Sequence, residues 1–78
     1  MSKKKYRVID LRNKRDIDAA LDKVISKLES NGYKYKLIPE KHFDAVLEEI
    51  EDKLGEYFGP VTDIGVAVKG TEKVYIVT

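Results

Sequence analysis

At two of the places where cations gather in this sequence the surroundings suit a polyanion. The run Arg12-Asn13-Lys14-Arg15 directly precedes an apolar-periodic segment that begins at Ile17. The first turn of a helix leaves backbone N–H groups without intrahelical partners, and together with the helix dipole they favour an anion. Three cations at that point oppose the dipole, and a bound phosphate would relieve the conflict. The second place is Tyr33-Lys34-Tyr35-Lys36, where a strand puts the tyrosines and Leu37 on one face and the lysines on the other. With Lys73, Tyr75 and Tyr6 on neighbouring strands, such a sheet face has the parts of a platform for unstacked bases.

Other chemistries lack their residues. Cysteine is absent and His42 is the single histidine, so thiolate metal sites, disulfides and cysteine nucleophiles are excluded. His42 reads as a surface residue in the first turn of a helix beside Glu40 and Asp44. No nucleophile elbow, phosphate-cradling glycine loop or zinc spacing occurs, because Gly55, Gly59, Gly65 and Gly70 are scattered. The expectation is a protein that is no enzyme and uses no cofactor and no metal. The acidic run Glu48 to Asp52 reads as the solvated back of an amphipathic helix.

The elements that must position these residues follow from periodicity. Tyr6 to Leu11 is a strand, in which either Arg7, Ile9 and Leu11 or Tyr6, Val8 and Asp10 face the helices. Ile17, Ala20, Leu21, Val24, Ile25 and Leu28 form one helical stripe, predicting a helix from Lys14 to Ser30 with Asn13 as its cap and Asn31-Gly32 as its stop. Tyr33 to Ile38 is a second strand. Pro39 and Glu40 open a second helix, with Phe43, Val46, Leu47, Ile50 and Leu54 inward, that ends near Phe58 before Gly59-Pro60. Val61 to Lys69 and Lys73 to Thr78 are strands joined by the turn Gly70-Thr71-Glu72, with Ile64, Val66 and Val68 set against Val74 and Ile76 on the inner face. The order is βαβαββ. It predicts a single domain over residues 1–78 of α/β class: an α+β two-layer sandwich with a four-stranded mixed sheet and both helices on one face. Strands one to three would be parallel and strand four antiparallel.

Lys and Arg number 15 against 14 Asp and Glu, but residues 1–41 hold 12 of the cations and 6 of the acids, whereas residues 42–78 hold 3 and 8. The chain is a dipole if those halves take different faces. No apolar run reaches the ~18 residues of a membrane span, and Met1 to Arg7 is basic without a signal peptide's apolar stretch. A soluble, cytoplasmic monomer without a membrane partner is expected.

In element order the chain, from Tyr6 to Thr78, resembles the C-terminal domain of bacterial translation initiation factor three and, more distantly, the archaeal chromatin protein Alba. Gly32-Tyr33-Lys34-Tyr35-Lys36 is similar to the turn and basic strand after the factor's first helix, and Lys14-Arg15 stands where Alba carries a basic pair. The resemblance implies strand order 1-2-4-3, both helices on one side, and nucleic-acid binding. The acidic residues of helix two (Asp44, Glu48, Glu49, Glu51, Asp52, Glu56) and the short last hairpin depart from that pattern and direct a polyanion elsewhere. The leading expectation is a small module that binds RNA, or less favourably DNA, through Arg12, Lys14, Arg15, Lys34 and Lys36. Two other readings stand beside it. Short loops, high Lys/Glu content and agreement of caps with periodicity fit an idealised scaffold without an evolved function, and an edge strand or the acidic helix would suit a protein-interaction module.

Overall fold

The computed structural model describes residues 5–55 and 57–78; Lys3, Lys4 and Glu56 lie outside the described residues. Strand β1 (Lys5–Asp10) leads to helix α1 (Ile17–Ser30), strand β2 (Lys34–Leu37), a single 3₁₀ turn (Glu40–His42), helix α2 (Phe43–Leu54), and strands β3 (Ile64–Lys69) and β4 (Glu72–Val77). The α/β class, the βαβαββ order and the four-stranded mixed sheet are those the sequence predicts. No helix of the described residues is long and apolar enough to cross a membrane.

The strand order is β1-β4-β3-β2, in place of the 1-2-4-3 implied by the resemblance. β1 runs parallel to β4, β3 is antiparallel to both β4 and β2, and so β3, rather than the fourth strand, is the reversed one. The chain climbs β1, descends α1 and climbs β2 at the far edge, which leaves a two-strand gap. The β3–β4 hairpin fills it. Between β2 and β3 the chain makes an excursion along α2 and returns to the same end of the sheet, where the Ile38 N–H donates to the Ile64 carbonyl at 2.8 Å. A connection that returns to its starting end gives antiparallel neighbours.

The helices lie on opposite faces of the sheet, which corrects the expectation of a two-layer sandwich with one wet face. The register Ile64↔Val77, Val66↔Tyr75 and Ala67↔Val74 assigns successive residues of the hairpin to alternate sides. Ile64, Val66, Tyr75 and Val77 pack with Ile50, Val46 and Leu47 of α2, while Ala67, Val74 and Ile76 pack with Leu28, Leu21 and Val24 of α1. Ile64 and Val66 therefore do not share a face with Val74 and Ile76. The turn contains two residues, Gly70 and Thr71, where the sequence suggested three, and one residue fewer shifts every pair across the sheet. Gly70 takes a φ of 61° there, the left-handed region open to glycine. Both candidate faces of β1 are used: Ile9 packs towards α1, Tyr6 and Val8 towards α2.

The helix boundaries differ from the periodicity in instructive ways. Helix α1 is capped by Asp16, whose Oδ1 accepts from the Ala19 N–H at 3.1 Å, and not by Asn13. The Lys14 N–H instead closes a turn onto the Leu11 carbonyl at 3.1 Å, which holds residues 12–15 outside the helix. Helix α2 stops at Leu54 because Gly55 adopts a left-handed C-cap with φ 68°.

The packing sets two expected outcomes. Ile50 is 1% exposed whereas Leu47, at the centre of the predicted stripe, is only half-buried. Ile50→Ala should cost about 2–5 kcal/mol through the cavity it leaves, and Leu47→Ala clearly less; urea denaturation that ranked them the other way would contradict this packing. A Cβ added at Gly65 would strike the Tyr35 ring, with the ring's Cε1 2.5 Å away. Gly65→Ala should therefore cost about 1–3 kcal/mol from overpacking, and most of that cost should vanish in a Tyr35→Ala background.

Candidate functional site

The structure does not gather the five predicted cations. Arg12, Lys14 and Arg15 follow β1 at the end of the sheet remote from the hairpin turn, whereas Lys34 and Lys36 project from edge strand β2 on the α2 face, opposite Val68 and Val66. Strands β1 and β2 are the two edges, roughly 14 Å apart across three strand spacings. Arg12 is engaged with its own chain. Its Nε and Nη2 donate to the two oxygens of Asp10 at 3.0 and 2.8 Å, its guanidinium lies 5.4 Å from the Phe58 ring centroid, and this pairing holds the Asp10 carboxyl below the usual carboxylate range. Arg15 shares a shallow depression with Asp16, Asp18 and Asp63. The carboxylates of Asp16 and Asp18 already complement the helix dipole, so the electrostatic conflict that called for a phosphate at this loop is met by the chain itself.

The tyrosine-lysine platform is not assembled either: Lys34 and Lys36 are exposed, but their proposed partners are engaged elsewhere. Tyr75 is 2% exposed beneath α2, its ring stacks on Tyr6 with centroids 6.5 Å apart, and burial, with Glu49 second, pushes its phenol up. Lys73 lies 3.8 Å from the Glu49 carboxylate and 5.9 Å from the Tyr6 ring centroid.

A different site forms on the α1 face at the hairpin end. Arg7 and Ile9 share one side of β1, and Val24, Lys27, Leu28 and Asn31 follow the i, i+3, i+4, i+7 stripe of α1. With Tyr33 and Lys69 they line a groove of about 430 Å³. Its floor is hydrocarbon, from Ile9, Val24 and Leu28; its rim has three cations, Arg7, Lys27 and Lys69, and none of the lining residues is acidic. Lys27 is stabilised at the C-terminal turn of α1 by the helix dipole. Beside it the Asn31 Nδ2 donates to the Lys27 carbonyl at 2.8 Å. Gly32, at φ 90°, reverses the chain so that Tyr33 closes the groove.

Tyr33 is fixed from two sides. Its hydroxyl donates to Glu72 Oε2 at 2.6 Å, and the Lys69 ammonium sits 5.7 Å from its ring centroid, within cation–π range. The hydrogen bond to Glu72 holds the Tyr33 phenol above the ordinary tyrosine range; burial and the Glu72 charge add to it, and Arg7 opposes it. On the opposite face, Asp44, Glu48 and Glu51 with Leu47, Tyr57, Phe58 and Pro60 line a second groove of about 410 Å³ whose charged residues are all acidic. The two grooves thus have lining charges of opposite sign on opposite faces.

Arg7, Lys27, Tyr33 and Lys69 were not singled out as site residues by the sequence pattern. The available signal was parity: Arg7 alternates with Ile9, and Lys27 and Asn31 keep helical spacing with the apolar Val24 and Leu28. No protein-family model matches the chain, and neither a curated protein nor a solved structure does.

The Tyr33–Glu72 pair predicts an alkaline signature. Because the folded pKa lies above that of the unfolded chain, near ~10, the pair's stabilisation is complete below that pH and is lost as pH rises through the higher folded value. The Tyr33 ring resonances should titrate above free tyrosine, and Glu72→Gln should move the titration back towards it. An identical titration in the two proteins would remove Glu72 as the cause.

Proposed function

We propose that the chain is a small nucleic-acid-binding module whose contact surface is the cationic groove between α1 and β1. The observation that carries the reading is the lining itself: Arg7, Lys27 and Lys69 arrive from three different elements around one concavity without a carboxylate among them. Cations of that kind neutralise phosphates and release condensed counterions, the main source of sequence-independent affinity. The acidic α2 groove on the opposite face repels the same polyanion and so orients it. Arg12 pairs directly with Asp10 and Arg15 shares its depression with Asp16, Asp18 and Asp63, whereas Glu72, the carboxylate that adjoins Arg7 in a neighbouring depression, already accepts from the Tyr33 hydroxyl; Arg12 and Arg15 are therefore the poorer phosphate ligands.

The test is fluorescence anisotropy with labelled RNA and DNA oligonucleotides over a salt series. Three phosphate contacts predict a slope of log K against log salt of about −2 on single strands and about −3 on duplex. Arg7→Ala with Lys69→Ala should weaken binding on all sequences alike and flatten that slope by between 1 and 2, roughly one for each lost contact, whereas Lys14→Ala with Arg15→Ala should change little. The reverse ranking of these two double variants would transfer the contact to the loop after β1, and no salt-dependent binding of any oligonucleotide would remove the reading.

A further inference from the structure

We propose that the groove takes an unpaired base, so that the ligand is a single strand in which bases as well as phosphates are bound. This rests on the nucleic-acid reading of the groove and deepens it. A phosphodiester gains nothing from hydrocarbon and loses hydration against it, yet the floor of the groove is Ile9, Val24 and Leu28. A base carries the apolar face that such a floor can cover. In a duplex the faces are stacked and the edges paired, so a duplex reaches only the cationic rim; an unpaired strand reaches rim and floor together.

The geometry supplies each part of such a contact. The groove, at about 430 Å³, is concave and large enough for one base with its sugar. Arg7 on β1 and Lys27 on α1 stand on opposite walls, with Lys69 beside Tyr33 at the hairpin end, so phosphates on either side of an inserted base find a cation. The Arg7 guanidinium is planar and can lie against a base as well as hold a phosphate. Asn31 lines the groove with its Nδ2 bonded to the Lys27 carbonyl, and its Oδ1 is an acceptor of the kind that pairs with a base amino group. Tyr33 keeps the end of the groove closed through its hydrogen bond to Glu72.

The deciding experiment uses the unmodified protein and varies the ligand. Anisotropy is measured for a short unpaired oligonucleotide, for the same strand annealed to its complement, and for an abasic strand with the same number of phosphates. The base-bearing single strand should bind about tenfold or more tightly than both others, the factor expected when one base is covered. Equal affinity of the base-bearing and abasic strands, or of single strand and duplex, would overturn the base pocket while leaving phosphate binding by the groove intact. Absence of binding by all three would instead overturn the function on which the proposal rests. On the protein side, Val24→Lys adds a cation to the floor: it should weaken the base-bearing strand and strengthen the abasic one, and strengthening of both would contradict base insertion.

Discussion

The β3–β4 hairpin is apolar at nearly every position, and burying both of its sides is the constraint to which the rest of the chain conforms. Ile64 to Ala67 and Val74 to Val77 are all buried, and a two-residue turn assigns them alternately to two faces. Neither face tolerates water, so each needs a helix. Helix α1 covers one and α2 the other, and the two flanking strands complete the sheet from either edge. A strand pair of this kind belongs in the centre of a sheet, which is why the last strands in the chain are the central ones in space.

The candidate site is a by-product of that arrangement. A helix is about 10 Å across with its side chains, while four strands span more than that, so one helix per face leaves a margin uncovered. On the α1 side the uncovered margin runs along β1, and the side chains bordering it are those that alternate or repeat with the core: Arg7 with Ile9, Lys27 with Val24 and Leu28. On the α2 side the acidic groove lies between α2 and the segment that follows it, bordered by Asp44, Glu48 and Glu51. The sheet lies between the two faces, so the near-neutral chain presents a cationic groove on one and an anionic groove on the other.

Local pairing decides which cations are available. Arg12 and Arg15 lie in a dense basic run, yet Arg12 is paired with Asp10, Arg15 shares a depression with Asp16, Asp18 and Asp63, and the Asp16 side chain supplies the cap that α1 needs. Lys73 is likewise drawn to Glu49. A basic run in a sequence is therefore a poor measure of positive potential, because carboxylates beside it in the chain, Asp10, Asp16 and Asp18, and one brought near by the fold, Asp63, share its surroundings.

Element types and their order were legible in the sequence, because they depend on short-range quantities: the helical spacing of Ala20, Leu21, Val24 and Leu28, the alternation of Tyr33 to Leu37, and the glycines at positions 32 and 70. The opposite charges of the two halves were legible too. The side of the sheet each helix takes was not, because it depends on hairpin register, and a turn shorter by one residue reverses the face of every strand residue beyond it. Strand order was not, since β1 and β4 pair across almost the whole chain. The groove was least legible of all: Arg7, Lys27 and Lys69 are separated by 20 residues and 42 residues, and only the crossing of α1 over the sheet brings them around one floor.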